Sequence, residues 1–235
     1  MNEDKNKTKI EKFAKANELK FNNFDILVNA FVHRSYLNEN SRMNLKNNER
    51  LEFLGDAVLE LIITEYLYNR FEKPEGELTA LRSALVRGRN LALTSEGLGV
   101  YDCLYLSRGE RNSSEKAKGL ILANALEAII GAIYLDQGIE ATRNFIIKNI
   151  AIDIEKVIDE KLYVDAKSNF QEKVQEKFKV TPHYKVISEL GPDHDKEFTS
   201  TVIVDNDEIA KGSGSSKNIA EQEAAKEALK KLFNQ

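Results

Sequence analysis

The sequence predicts a multidomain protein, with an all-α bundle followed by a smaller module of order α-β-β-β-α. Apolar residues recur three and four apart up to about Lys161, as they do on the buried faces of helices. After Asp165, a short helix is followed by three strand-like segments and a last helix. The length of 235 residues leaves room for two unequal domains. We therefore predict domains at residues 1–162 and 163–235, divided where the periodicity changes.

The composition excludes several classes of protein. With 31% charged residues and no apolar run near the ~20 residues that cross a bilayer, the chain is not expected to enter a membrane. The amino terminus is charged and lacks the apolar segment of a secretory signal, so we expect a cytoplasmic protein. Cys103 is the single cysteine and is expected to be a buried, inert thiol. The net charge of −4 requires that any contact with nucleic acid come from local patches.

Three helical series define the first domain. Their apolar residues lie within residues 54–66, 122–130 and 146–158. Proline, glycine and serine interrupt the pattern at residues 72–76 and 97–114, where we expect loops. Outside those two segments the first domain is expected to be helical.

The second domain changes from helical to strand-like periodicity. A short helix carries Phe170, Val174 and Phe178 and is expected to end before Thr181-Pro182. The three predicted strands are residues 184–190, 198–204 and 209–211. Ser215 or Ser216 can cap the last helix, because a serine oxygen accepts from the free N–H groups of a first turn.

An acidic row lies on the first long helix, which we place at residues 48–66. Glu49, Glu52 and Asp56 are spaced by three and four residues, so their carboxylates line one face over two turns. These carboxylates repel one another unless a cation or a basic partner neutralises them. The alternative is a solvated acidic face, with Glu49 stabilising the helix amino terminus. The spacing alone favours this interpretation, in which the acidic face is simply exposed to solvent.

A second helix weakens the surface interpretation. Asn124 and Glu127 lie three residues apart within the apolar segment LILANALEAIIGAIYL, and a buried glutamate normally needs a partner. If the two helices cross, four side chains supply oxygen atoms of the kind that Mg²⁺ prefers. These candidate ligands are Glu52, Asp56, Asn124 and Glu127. Such ions clamp the attacking and leaving oxygens during phosphodiester hydrolysis, which is the reaction class that the pattern indicates.

Three segments of the first domain resemble a known family. NERLEFLGDAVL at residues 48–59 closely resembles the ribonuclease III signature, and LANALEAIIGAIYLDQG at residues 122–138 is similar to that family's second acidic helix. FVHRSYLNEN at residues 31–40 resembles the segment that precedes the signature in bacterial members. The resemblance covers almost the whole chain. It implies a ribonuclease III endonuclease bundle that hydrolyses double-stranded RNA with Mg²⁺, or with Mn²⁺ as a substitute.

The resemblance also assigns roles to individual residues. It implies a metal-binding set formed by Glu52, Asp56, Asn124 and Glu127. Asp56 and Glu127 are then catalytic as well, and Glu49 and Glu75 match further acidic residues that act near the scissile strand. On their own, the last two are equally well explained as charges at a helix end and in a surface turn. The implied products carry 5′-phosphate and 3′-hydroxyl ends with a short 3′ overhang, as in the processing of rRNA precursors and mRNA.

Phe53 has two interpretations. A phenylalanine on an amphipathic helix is ordinarily a core residue. In the family, however, its counterpart inserts into the partner subunit, which implies a homodimer. One chain carries one acidic cluster, whereas cutting both strands needs two, and a symmetric pair supplies them.

The match departs from the family at two places. Members usually carry aspartate at the position of Asn124, and an amide oxygen can ligate a cation but brings no charge. Asn124 is either a natural variant compensated by Glu75 or Glu49, or a substitution that weakens catalysis. Members also carry a glycine pair and a serine where this chain has Ser113-Ser114 and Leu120, so a loop contact with RNA is not expected there.

The second domain resembles the double-stranded RNA-binding domain, through GPDHDKEF at residues 191–198 and GSGSSKNIAEQEAAKEAL at residues 212–229. Such domains read 2′-hydroxyls, phosphates and shape, because duplex RNA hides its base edges. The expected RNA-binding residues are Ser168, Gln171, Glu172, His194 and Lys217. The first three face one minor groove, His194 reaches the next, and Lys217 holds phosphates with the helix dipole. Asn218 stands where members have a second lysine, which predicts weaker, salt-dependent binding.

The leading hypothesis is therefore a homodimeric, Mg²⁺-dependent endoribonuclease that acts on double-stranded RNA. Because of Asn124, a double-stranded RNA-binding protein with weakened catalysis is the alternative. A helical protein that acts through protein contacts alone is poorly compatible with the second domain.

Overall fold

The computed structural model describes residues 2–41, 45–152, 154–159, 165–192 and 196–234. The chain divides into two compact units, Met1–Tyr163 and Val164–Gln235. The predicted boundary between residues 162 and 163 lies outside the described residues and stays a prediction.

Among the described residues of the first unit, the regular structure is helical, apart from one isolated bridge between Val32 and Tyr105. The helices are α1 (Asn2–Ala16), α2 (Phe24–Ala30), α3 (Arg34–Glu39), α4 (Glu49–Arg70), α5 (Glu75–Val86), α6 (Gly88–Gly97), α7 (Arg108–Arg111), α8 (Glu115–Asn149) and α9 (Ile154–Asp159). The predicted loop at residues 97–114 is partly helical, since it contains a 3₁₀ turn at Val100–Cys103 as well as α7. Short helical turns of this kind carry too few residues for a periodic pattern.

The core of this unit forms around α4 and α8. Leu59, Ile62 and Ile63 of α4 are fully buried, as are Ile129 and Ile133 of α8, and all belong to one apolar cluster. Removing this much apolar surface from water is the main stabilisation of the bundle. Both acidic segments are therefore carried on helices that pack into this core.

The long helix α8 is bent at Gly138, whose φ of 79° and ψ of −175° are not helical. Among the described helices, α8 is long and apolar enough to cross a membrane by length and composition alone. However, 61% of its apolar window is buried within the protein. This burial is what the central helix of a bundle shows, and no membrane is needed to explain it.

The second unit confirms the predicted order α-β-β-β-α. It comprises α10 (Ala166–Phe178), β1 (His183–Leu190), β2 (Glu197–Val204), β3 (Asp207–Gly214) and α11 (Lys217–Phe233). The strands form one antiparallel sheet in the order β1-β2-β3. Phe170 and Val174 of α10 are buried in one cluster with Val202 of β2 and Ala224 of α11. Both helices thus cover the same face of the sheet and leave their outer surfaces exposed.

The ends of these helices follow from local chemistry. Ser216 caps α11, because its hydroxyl accepts from the backbone N–H of Ile219 at 3.3 Å. α10 ends with Lys179 at a φ of 60°, two residues before Thr181-Pro182. Strand β3 runs to Gly214, beyond the predicted end at Lys211, because serine and glycine conceal its alternation.

Candidate active site and RNA-binding surface

The candidate active site lies where α4 and α8 cross at two glycines. A Cβ atom on Gly55 would come within 1.7 Å of the carbonyl oxygen of Glu127, and one on Gly131 within 2.2 Å of the carbonyl oxygen of Leu51. The two backbones are therefore in direct contact, which any larger residue would prevent. The sequence alone did not reveal this contact. The signal that could have found the crossing is a glycine within each acidic segment.

The crossing brings Glu127 within electrostatic reach of the acidic row. Glu127 is half-buried, and burial, followed by the negative charges of Asp56 and Glu52, raises its pKa to about 7. Asp56 itself is exposed. The three predicted carboxylates thus act on one another across two helices, as a cation-binding site requires.

Asn124 joins the same group. Burial and the charge of Glu49 raise the pKa of Glu52, whereas a hydrogen bond from the Asn124 side chain lowers it. The amide therefore faces the carboxylate of Glu52 and stabilises its charged form, which an aspartate at this position would not do. The structure brings Glu52, Asp56, Asn124 and Glu127 near one another, and their binding of a metal stays a prediction.

The donor set suits a hard divalent cation, since it offers three carboxylates and one amide oxygen. Within the described residues, no three acidic, histidine or cysteine side chains form a ready metal-binding group. The carboxylates are coupled by charge without being closed around a common point. Their mutual repulsion and the raised pKa of Glu127 are what a bound cation would relieve.

Glu49 lies beside this group as the first residue of α4. One of its carboxylate oxygens lies 3.5 Å from the guanidinium of Arg34, and the other accepts from the Asn47 side chain at 3.1 Å. The adjacent Asn48 is 3% exposed and donates through its side chain to the carbonyl oxygen of Ala30 at 3.3 Å. This buried anchor fixes the start of α4. Sequence analysis gave Arg34 no role of its own.

Glu75 is not shown to join the four central residues. It is exposed, begins α5 and accepts from the hydroxyl of Thr79 on the same helix at 3.2 Å. These contacts fit a charge at a helix amino terminus. Its role near the scissile strand stays a prediction.

Phe53 does not have the surroundings of a core residue. It is 82% exposed, although it lies on α4 between the acidic residues. Leu61 and Tyr68 of the same helix are also exposed, at 60% and 75%. Large apolar side chains placed in solvent at this spacing indicate a surface that a partner covers. Cys103, by contrast, is buried as expected, and burial raises the pKa of its thiol to about 11.

In the second unit, three predicted RNA-binding residues lie on the exposed side of α10. Ser168, Gln171 and Glu172 are all exposed and are spaced by three and four residues, so they share one face. Asp165 caps the helix and accepts from the backbone N–H of Ser168 at 2.9 Å. His194, predicted to reach a second minor groove, lies outside the described residues.

Lys217 begins α11, as predicted, but its ammonium group is engaged. It lies 3.0 Å from a carboxylate oxygen of Glu189 on β1 and 5.7 Å from the ring centroid of Phe198 on β2. The pair is partly exposed, so water screens it and a phosphate could replace the carboxylate. The sequence alone does not reveal Glu189 as a partner, because it becomes a neighbour of Lys217 only when the sheet forms.

Comparisons with known proteins agree with both kinds of domain. A family model described as Ribonuclease-III-like matches residues 23–154, and one described as Double-stranded RNA binding motif matches residues 166–232. The chain is 45% identical over 215 residues to the protein named Ribonuclease 3 from Streptococcus thermophilus, covering 91% of this chain and 93% of that one. For Ribonuclease 3 from Treponema denticola the identity is 42% over 234 residues, covering 99% and 95%.

A solved structure agrees for the first unit. The nuclease domain of ribonuclease III from Campylobacter jejuni is 40% identical to this chain, with a TM-score of 0.55. The match covers 61% of this chain and 96% of that domain. The Campylobacter domain is described as structurally flexible in a region involved in dimer formation. With matches over nearly its whole length and with the predicted acidic residues assembled at one helix crossing, this chain belongs to the ribonuclease III family.

Proposed function

We propose that this chain cuts double-stranded RNA by metal-assisted hydrolysis at the crossing of α4 and α8. Membership of the ribonuclease III family makes it a double-strand-specific endoribonuclease. The observation that carries the mechanism is the electrostatic coupling of Glu127 with Asp56 and Glu52 across the two helices. Mg²⁺ is the proposed ion, and Mn²⁺ is expected to substitute for it.

Each residue of the site has a distinct task in this proposal. Glu52, Asp56 and Glu127 would hold the cation through carboxylate oxygens, and Asn124 would contribute its amide oxygen. When bound, such ions activate water as a nucleophile and stabilise charge on the phosphate oxygens. Glu127 would bind the cation in its deprotonated form, although burial beside two other acids raises its pKa to about 7. Glu49 and Glu75 are proposed to act near the scissile strand.

The active form is proposed to be a homodimer. Phe53 is 82% exposed on the helix that carries the acidic row, and insertion into a partner subunit would bury it. Two copies of the site then act on the two strands of one duplex, as a symmetric pair requires.

The second domain supplies the affinity for duplex RNA. Ser168, Gln171 and Glu172 are proposed to contact 2′-hydroxyls, with His194 in the following turn and Lys217 on phosphates. We propose that this domain spans residues 163–235. The proposed products carry 5′-phosphate and 3′-hydroxyl ends, and the proposed role is the processing of rRNA precursors and mRNA in the cytoplasm.

The direct test is to incubate the purified protein with a long RNA duplex and Mg²⁺. We expect short double-stranded products, with no cutting of single-stranded RNA and no cutting when a chelator removes the ion. Binding without cleavage would instead favour the alternative of a double-stranded RNA-binding protein with weakened catalysis. Asn124 is the one observation that supports this alternative.

Replacement of Glu127 tests the site itself. Glu127→Ala is expected to abolish cleavage and to leave duplex binding intact, because the second domain supplies most of the affinity and Glu127 has no proposed contact with RNA. Glu140→Ala is a matched control on the same helix, since Glu140 is 78% exposed and pairs with Arg143 at 3.6 Å. Wild-type cutting by the Glu127 variant would refute the two-helix metal site.

A further inference from the structure

Arg34 is a cation at the edge of the acidic site, at the first position of α3. Its Nη1 atom lies 3.5 Å from a carboxylate oxygen of Glu49, and the two side chains are 70% and 50% exposed. Its charge also reaches Glu52, where it opposes the upward shift of the pKa that burial and Glu49 cause. A solvent-facing guanidinium therefore stands next to two carboxylates of the site.

The backbone that carries Arg34 is fixed on both sides. His33 caps α3, and its Nδ1 atom lies 2.8 Å from the hydroxyl of Ser35, which accepts from the backbone N–H of Ser107 at 3.2 Å. At the start of α4, the backbone N–H of Asn48 donates at 2.9 Å to the carbonyl oxygen that precedes His33. The position of Arg34 beside the site is thus preorganised, and its long side chain retains freedom to change partner.

The ion pair between Arg34 and Glu49 is weak enough for Arg34 to exchange this carboxylate for another anion. Exposed ion pairs contribute little to stability, because water screens them and both side chains lose freedom. Arginine, in turn, forms paired, charge-assisted hydrogen bonds with phosphate more readily than with a single carboxylate oxygen. A row of carboxylates repels the RNA backbone, so a cation at its edge offsets that repulsion where the RNA must approach most closely.

We propose that Arg34 is a substrate-binding residue that exchanges Glu49 for a phosphate of the duplex next to the bond that is cut. The exchange frees the carboxylate of Glu49 to turn toward the metal-binding residues. This inference rests on the proposed function, because it places the phosphate at the same acidic site.

The first test compares Arg34→Gln and Arg34→Lys with Arg87→Gln, which removes the same charge from an exposed arginine between α5 and α6. Arg34→Gln is expected to lower kcat/KM by about 10-fold to 100-fold, chiefly through KM, as the loss of a charge-assisted hydrogen bond predicts. Arg34→Lys should retain part of the kcat/KM that Arg34→Gln loses, and Arg87→Gln should have the kcat/KM of the wild type. Unchanged kinetics in Arg34→Gln, with an unchanged melting temperature as evidence of folding, would overturn the proposal.

The second test measures duplex binding against salt in a chelator, where the RNA stays uncut. The logarithm of the binding constant falls as the logarithm of the salt concentration rises, and each lost phosphate contact makes this slope shallower by about 0.9. A purely structural role leaves the slope unchanged. Arg34→Gln is therefore expected to reduce the slope by about that amount for each site occupied. An identical slope in the variant and the wild type would count against phosphate binding.

A double-mutant cycle tests the exchange. Glu49→Gln is expected to tighten duplex binding by releasing Arg34, and to do so much less in an Arg34→Gln background. Equal tightening in both backgrounds would mean that Glu49 acts only by repelling RNA, which excludes the exchange. The wild type separates the two proposals: a wild type that does not cut overturns the proposed function, whereas a cutting wild type with an unaffected Arg34→Gln variant overturns this inference alone.

Discussion

The contact between Gly55 and Gly131 gives the sharpest prediction. In Gly55→Ala, the new methyl would lie 1.7 Å from the carbonyl oxygen of Glu127 and 2.8 Å from the backbone nitrogen of Gly131. Side-chain carbons essentially never approach other atoms within 3.0 Å, so α4 and α8 must separate by about 1.3 Å. The obstacle is backbone on the opposite helix, which cannot rotate away as a side chain would.

This separation has two measurable consequences. Overpacking a core costs about 1–3 kcal/mol, and a clash with backbone places this variant near 3 kcal/mol. For a unit of this size, that loss lowers the melting temperature by about 6–12 °C. The same shift moves Glu52 and Asp56 away from Asn124 and Glu127. Because Mg²⁺ tolerates deviations of only about 0.2 Å in its ligand distances, cleavage should fall by about 100-fold or more.

The assay combines thermal unfolding with single-turnover cleavage of a duplex. Gly97→Ala is the control, since Gly97 lies at the end of α6 with nothing within 4 Å of the added Cβ atom. It should be neutral or slightly stabilising, because alanine restricts the unfolded chain. If Gly55→Ala melts and cuts like Gly97→Ala, the helices do not cross at these glycines and the reasoning fails.

Three further predictions concern charge. Asn124→Asp should raise Mg²⁺ affinity, measured by calorimetry, by about tenfold, because it adds a fourth carboxylate. It should also lower the stability of the metal-free protein, because the hydrogen bond to Glu52 is lost. An unchanged affinity would place Asn124 outside the metal site. Burial and two neighbouring acids raise the pKa of Glu127 to about 7 from 4.5, so the metal-free protein loses stability as pH rises between those values. Glu127→Gln should therefore stabilise the metal-free protein by on the order of 2 kcal/mol at about pH 8, a figure reduced because water screens this partly exposed group. Near pH 4 the substitution should have almost no effect, and urea unfolding at the two pH values measures the difference. Equal effects at both pH values would contradict the shifted pKa. Glu189→Gln should strengthen duplex binding about twofold to fivefold at low salt by releasing Lys217, whereas Glu227→Gln, an equal charge change at an exposed position near the other end of α11, should not; equal effects would mean that net charge alone is responsible.

Much of the fold was predictable because its signals are local. The change from helical to strand-like periodicity near residue 165 depends only on which side chains face the core, and the order α-β-β-β-α follows from it. Short helical elements were not predicted, because a periodic pattern needs more than one turn to be recognised. The 3₁₀ turn at Val100–Cys103 and the helix Arg108–Arg111 are four residues each, too short to repeat a pattern.

The acidic residues were also predictable, since their spacing places Glu52 and Asp56 on one helix face and Asn124 and Glu127 on another. The sequence by itself thus determined the family, the two kinds of domain and the oxygen atoms offered to a cation. It could not determine how closely the two helices approach, because that distance is set by backbone contact between residues 76 positions apart, Gly55 and Gly131. Only the tertiary structure decided that burial beside Asp56 and Glu52 raises the pKa of Glu127, that Phe53 faces solvent, and that Arg34 and Lys217 already hold carboxylates. Burial and long-range charge are properties of the assembled chain, and no local pattern encodes them.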